Sequence, residues 1–346
     1  MRRTPKFSRR STTRRLIAAA CATTLLVSAA GCADGDDGST TDGDGSTTVR
    51  LGFSAWPGWF PWQVAQEQGL FGDNGVDVEL TYFDSYTDSL TALATGNLDA
   101  NSQTLNDTLS SVSGGAAQTV VLVNDNSTGN DQIIAAPGID SVADLAGKRI
   151  AIEEGTVDHY LLLLALAEAG LSADDVEISP LLTDAAAAAF LAGQVDAVGA
   201  FAPFTTTALG REGSRAIATS AEHPGAIPDH LVFDSEFVAA HPEQVQAVVD
   251  TWFDTLDWIA DNPDEAVEIM AAQAGVSVED YRTYDAGTTI FDLADNQAAF
   301  EPGDTPANLD FQARSIAEFL VATGLVDEAP PLDGLLDGQF VAAVSP

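Results

Sequence analysis

Cysteine is almost missing from this chain: two residues in 346, Cys21 and Cys32, both near the amino terminus. Nothing after residue 32 can form a disulfide or act as a thiol nucleophile. Basic residues are nearly as scarce. Fourteen Lys and Arg face 52 Asp and Glu, for a formal charge of −38. Seven of those bases (Arg2, Arg3, Lys6, Arg9, Arg10, Arg14 and Arg15) crowd the first fifteen residues, and without that leader the charge is −45. Only Arg50, Lys148, Arg149, Arg211, Arg215, Arg282 and Arg314 remain. So acidic a body excludes nucleic acid and anionic headgroups as partners. The four His residues are scattered and lack metal-ligand spacing, so no zinc site is expected. Neither G-x-x-x-x-G-K-[ST] nor G-x-G-x-x-G occurs. No cofactor, metal or catalytic residue is expected. The longest apolar run, Leu16 to Ala30, is too short to span a bilayer comfortably.

What is present at the amino terminus reads as a targeting segment. The basic stretch, the apolar run and Ala29-Ala30-Gly31-Cys32 follow the order of a lipoprotein signal, with Ala where Leu is usual three residues before the Cys. Arg9-Arg10 also fits a twin-arginine signal, though without the hydrophobic residues expected after the pair. Cys32 would then carry a lipid anchor, and residues 34–48, all small or acidic, would be a flexible tether. The expected location is extracytoplasmic, attached to the membrane through the lipid alone.

The body alternates strand-like and helix-like runs. Val49–Phe53, Val76–Phe83, Leu98–Asn101 and Thr119–Asn124 read as strands, with helices Trp62–Gln68, Tyr86–Thr95 and Thr104–Ser113 between them. Gly69 and Gly96 stand where helices stop. The pattern restarts with strands Gln132–Ala136, Arg149–Glu153, Val176–Leu181 and Val195–Ala200, followed by Ala216–Thr219 and Leu231–Asp234. This order predicts an α/β fold with open, mainly parallel sheets. Gly96-Asn97-Leu98-Asp99-Ala100 is echoed by Gly193-Gln194-Val195-Asp196-Ala197, as two lobes of like build would produce. From Pro242 onward the periodicity is helical, over Pro242–Asp261, Pro263–Ala274 and Ala307–Ala322.

The strand followed by Trp56-Pro57-Gly58, the later Gly69-Leu70-Phe71, and Gly147-Lys148-Arg149-Ile150-Ala151-Ile152-Glu153-Glu154-Gly155-Thr156 resemble ABC-transporter solute-binding proteins of the nitrate/taurine/alkanesulfonate class. Ala192-Gly193-Gln194-Val195-Asp196-Ala197 and Phe201-Ala202-Pro203 match that family's second lobe. The resemblance implies a two-lobed periplasmic-binding-protein type II fold with extra C-terminal helices. Its expected plan is a leader (1–31), a tether (32–48), lobe 1 (49–135 and 231–346) and lobe 2 (136–230), with hinges near Ala135–Pro137 and His230–Leu231. It also implies a small-molecule ligand between the lobes, an ABC permease as partner, and a monomer. Thiamine-pyrimidine synthases share the fold class, but their Cys-rich motif is absent. A structural surface lipoprotein is the third alternative.

Ligand crevices of open α/β sheets lie at the carboxyl ends of strands. The loops there carry Ser54, Trp56 and Trp59; Gln103, Thr104, Asn106 and Asp107; Asp125, Asn126, Ser127 and Asp131; Glu153, Glu154, Thr156, Asp158 and His159; and Phe201 and Phe204. The expected ligand-binding set is Ser54, Trp56, Trp59, Gln103, Thr104, Asp107, Asp125, Asn126, Glu154, Thr156, Asp158 and Phe201. Some of these acids could equally cap helices, as Asp107 and Asp158 would, and the Trp cluster could equally plug the core. His159 beside Asp158 suggests proton chemistry, but no Ser or Cys nucleophile motif accompanies it. No base falls on these loops. Carboxylates beside aromatic faces suit a small nitrogen-rich cation or neutral compound such as guanidine, urea or an amine. The alternative is nitrate, a sulfonate, taurine or bicarbonate held by amides and hydroxyls.

Overall fold

The computed structural model describes residues 47–344. The leader, Cys32 and the tether up to residue 46 lie outside the described residues. The fold holds two sheets. The first comprises β1 (Val49–Ser54), β2 (Val78–Phe83), β3 (Ala100–Thr104), β4 (Gln118–Ser127), β10 (Pro228–Asp234) and β11 (Thr288–Ile290), in the order β11-β4-β10-β3-β1-β2. The second comprises β5 (Asp131–Ala135), β6 (Arg149–Ile152), β7 (Glu177–Pro180), β8 (Ala197–Phe201) and β9 (Arg215–Thr219), in the order β7-β6-β8-β5-β9. β1 pairs in parallel with β2 and β3, and β6 likewise with β7 and β8, and in each sheet one antiparallel strand is inserted: β10 between β3 and β4, β5 between β8 and β9.

The chain crosses between sheets at 128–130 and at 220–227. Those crossings precede the expected hinges near Ala135–Pro137 and His230–Leu231. Asp131–Ala135 pairs with β8 and β9 and so lies in the second sheet, while His230 and Leu231 are mid-strand between β3 and β4. The strand expected at Leu98–Asn101 begins at Ala100, because Asn97 and Leu98 still donate to the Ala92 carbonyl at the helix end.

The helices bury the faces their periodicity marks. In Pro242–Asp261, Val245, Val248, Val249 and Trp252 are buried. Trp252 meets Trp62 of the helix Pro61–Gln68 at 4.7 Å between ring centroids. Trp62 also faces Phe71 and donates from Nε1 to Ser102 Oγ at 2.9 Å. Trp62 therefore belongs to the core of the first half, and truncating it to Ala would cost about 3–5 kcal/mol.

Candidate functional site

The loop after β1 is built against the end of β4. Asp125 Oδ1 accepts a hydrogen bond from Trp56 Nε1 at 2.9 Å. The other Asp125 oxygen lies so near Gly58 that a Cβ there would stand 1.8 Å from it. Glycine at position 58 is what admits the carboxyl, and Pro61 then opens the next helix at a position where proline costs nothing. The turn brings Trp56 and Trp59, both nearly fully buried, over the carboxyl ends of the strands.

These rings line a cavity of about 10 Å³ together with Ala55, Tyr86, Thr104, Asp131, Val157, Phe201 and Asp229. Its walls come from both sheets, since Phe201 ends β8 and Val157 follows β6. Asp229 is in register with Thr104 on one side and Asp125 on the other, so the three form a rung across β3, β10 and β4.

The electrostatics are one-sided. Burial pushes the Asp107 and Asp131 carboxyls up to about 7, and raises those of Asp125, Asp158 and Asp229 well above the ordinary carboxylate range. Neighbouring carboxyls add to the effect at Asp229 and Asp158. None of the seven Lys and Arg residues after position 47 lines the cavity. Arg50, Arg149, Arg215, Arg282 and Arg314 pair with acids elsewhere, and Arg211 binds the carbonyls of Phe190 and Val195. The second sheet supplies a different arrangement. Glu153 accepts from the Thr87 hydroxyl of the first half through Oε1, and from the Thr183 backbone and hydroxyl through Oε2. Thr183 Oγ1 also lies 2.8 Å from Asp158 Oδ2. One hydroxyl proton cannot serve both carboxyls at once, and a proton on Asp158, whose pKa burial raises, would satisfy both contacts.

Of the expected set, Trp56, Trp59, Thr104 and Phe201 line the cavity. Asp125 is held behind Trp56, and Asp107 behind Thr104, whose hydroxyl donates to it at 2.8 Å. Ser54 is buried immediately before Ala55, its Oγ without a partner. Thr156 donates to the Glu153 carbonyl, and Asp158 is bound by Thr183. Three residues are not brought there. Gln103 points to the other side of β3, where it bonds Asn101, Thr108 and Gln118. Asn126 donates to the adjacent Ser127 carbonyl. Glu154 is turned to solvent, and its neighbour Glu153 is the buried acid. The reading of the loops missed Asp229 and Tyr86. Tyr86 opens a helix with no loop signal, and Asp229 arrives on a strand more than a hundred residues distant in sequence. His159 accepts from the Gly155 amide through Nδ1, and burial lowers its pKa.

A small closed cavity between two like-built α/β sheets defines a two-lobed binding protein. The chain belongs to the NMT1-like family, whose model matches residues 42–274, and through it to the solute-binding proteins of ABC importers of the nitrate/taurine/alkanesulfonate class. It is 32% identical over 231 residues to a protein of Brucella abortus (strain 2308) named as a binding protein without a ligand; the match covers 64% of this chain and 70% of that one. It is 29% identical over 227 residues to the taurine-binding periplasmic protein of Escherichia coli (strain K12), covering 62% of this chain and 70% of the other. Among solved structures it resembles the alkanesulfonate-binding protein SsuA from Xanthomonas axonopodis pv. citri, bound to MOPS. The TM-score is 0.71 at 22% identity, covering 84% of this chain and 98% of that one, and this likeness speaks for the fold.

Proposed function

We propose that the protein captures a small nitrogen-rich cation, or a neutral compound of the same hydrogen-bonding character, and delivers it to a membrane permease without converting it. Guanidine, urea and simple amines are the compounds of that kind. One observation carries the ligand class: Asp131 and Asp229, which line the cavity, each keep an Oδ2 buried and without a partner, and no base lines it. An anion placed there would hold these raised carboxyls in their protonated form, whereas a cation would favour their ionisation. A cation would supply the missing donors and lie against ring faces.

The reading includes closure. The lobes would hinge where the chain crosses between sheets, at 128–130 and 220–227, and Thr87 with Glu153 would clasp the closed form. It includes a monomer tethered through lipid on Cys32, which mass spectrometry of the membrane-derived protein would detect. A second reading is favoured by the taurine-binding relative: an oxyanion held by Trp59 Nε1 and the Ser54 hydroxyl, both without partners. Calorimetry and thermal shifts separate the two. A ligand at 100 times its dissociation constant stabilises by about 2.7 kcal/mol. Guanidinium, amines or urea are expected to raise the melting temperature, and nitrate, taurine, sulfonates and bicarbonate are not. Tight binding of the anions alone would overturn the cationic reading and leave the family membership standing.

A further inference from the structure

The cavity walls close on themselves. Around it, ring centroids are 6.4 Å apart from Trp56 to Trp59, 5.5 Å from Trp59 to Tyr86, 6.2 Å from Tyr86 to Phe201 and 6.4 Å from Phe201 back to Trp56. Neighbouring planes are inclined by 42° to 80°, as the sides of a box are and the rings of a stack are not. Were the four centroids the corners of a flat square with sides of about 6 Å, a charge at its centre would lie about 4.3 Å from each, inside the ~6 Å range over which a ring face attracts a cation. Two carboxyls face the same cavity: Asp131 and Asp229 both line it, and each has an Oδ2 without a partner.

We infer that Trp56, Trp59, Tyr86 and Phe201 form an aromatic box for the head of a partly alkylated ammonium or amidinium ion that still carries at least one N–H. The inference rests on the cationic reading above and narrows it. Bare ammonium has too little surface to fill four ring faces. A tetraalkylammonium fills them but has no N–H for Asp131 or Asp229, and an unmatched buried acceptor is costly. A head bearing both hydrocarbon and N–H meets both demands. The box is also divided between the sheets: three rings belong to the first half, and Phe201 stands at the end of β8. The present cavity holds about one water, so a head enters only when Phe201 withdraws, and the fourth wall is set in place as the halves meet.

The test is calorimetry on the complete chain without its leader, using the chlorides of ammonium, methylammonium, dimethylammonium, methylguanidinium and tetramethylammonium. Methylated cations with an N–H are expected to bind at least tenfold more tightly than either ammonium or tetramethylammonium. Phe201→Leu, which keeps bulk but removes the face, is expected to weaken them at least tenfold, or 1.4 kcal/mol. Phe201→Tyr, which restores the face, is expected to stay within about threefold of the native protein, and melting curves of both variants check that they fold. Equal binding by Phe201→Leu, tetramethylammonium binding as well as dimethylammonium, or no binding of the methylated cations would each overturn the box. If cations bind but Phe201→Leu is indifferent, the cationic reading survives and only the box falls. If the series fails while nitrate or taurine binds, both fall.

Discussion

The first sheet, leaving out β11, runs β2-β1-β3-β10-β4, and the second runs β7-β6-β8-β5-β9, with the inserted strand antiparallel in both. The likeness reaches single bonds. Gly96 and Gly193 both take positive φ, 74° and 72°, before the third strand of each sheet. Asp99 then accepts from the Arg50 amide and Asp196 from the Arg149 amide, and each Asp returns its own amide to the same arginine's carbonyl. The halves part company in the loop after the first strand. Around the cavity, the first half leaves Ser54 Oγ, Trp59 Nε1, Asp125 Oδ2 and Asp229 Oδ2 without partners. In the second, Glu153, Thr156 and Asp158 all bond within the protein, and Asp131 Oδ2, at the start of β5, is the cavity group left without a partner. Unfilled hydrogen-bonding capacity marks where a ligand is read, and filled capacity marks structure. On the proposed function, most of the groups that would read a ligand lie in the first half, and the loop after β6 would clasp it.

The largest expected effect breaks this contrast at its acids. Asp229→Asn removes a buried acceptor on the reading side and should weaken the best-bound cation by about 30-fold or more, since losing one side of a buried charge pair costs about 2–5 kcal/mol. Glu154→Gln, on the exposed position of the clasping loop, should change affinity less than about twofold, as surface substitutions do. Calorimetry on the two variants decides it, and comparable losses would dissolve the division of labour.

The protons provide the next test. Asp107 and Asp131 hold theirs up to about 7 in the fold, against about 4 in an unfolded chain, and Asp125, Asp158 and Asp229 are higher still. The folded state therefore binds more protons than the unfolded one above pH 4. Stability is full below that and falls as pH rises, by up to about 1.4 kcal/mol per unit for each carboxyl. His230, buried and lowered to about 3, acts oppositely, but only below about 6.5. Comparing melting temperatures at pH 6.5 and 8.5 isolates the acids. The ligand-free protein should melt lower at pH 8.5, and cation binding should tighten over the same interval because ionised carboxyls receive it. A flat or rising melting temperature would mean that these carboxyls are ionised throughout.

How far the sequence carried this reading differs between fold and site. Helix stops at Gly69 and Gly96, the alternation of elements and the Gly-x-x-Asp-Ala echo are local signals, and each corresponds to an observed feature. The Trp-rich loop was legible as a candidate wall of the crevice, but its division was not. Trp56 and Trp59 face the cavity, whereas Trp62 is drawn into the core by a helix, Pro242–Asp261, that follows some 180 residues later. Asp229 was invisible because an inserted antiparallel strand brings it from a distance. The choice of Glu153 over Glu154 is made by the turn after β6, where strand alternation has already ended. Local pattern gives elements, and non-local pairing gives the cavity.

A smaller effect sharpens the symmetry itself. Asp99 takes the Arg50 amide and two guanidinium nitrogens, whereas Asp196 takes only the Arg149 amide, because that guanidinium turns to Glu177. Asp99→Ala should cost about 2 kcal/mol and Asp196→Ala about 1. In a body of this size those are drops of about 5 °C and about 2 °C in melting temperature. Equal drops would show that the shared backbone latch carries all the stability and the arginine fork none.

The smallest effect concerns an unpartnered obligate donor on the cavity wall. Trp59 Nε1 is buried without an acceptor, and an indole N–H can do nothing but donate. In the ligand-free protein Trp59→Phe removes that unmatched donor, a gain of about 1 kcal/mol, but it also removes ring volume at a similar cost, so the melting temperature should hardly move. Binding is the better probe. If the donor reads an acceptor on the ligand, a cation that carries a carbonyl, such as acetylguanidinium, should lose about three- to tenfold more affinity on Trp59→Phe than guanidinium does, the worth of one neutral hydrogen bond. The double difference cancels whatever the smaller ring does to both. An equal loss for the two cations would assign Trp59 to the wall of the cavity alone, and the first half would then read charge and shape but no acceptor.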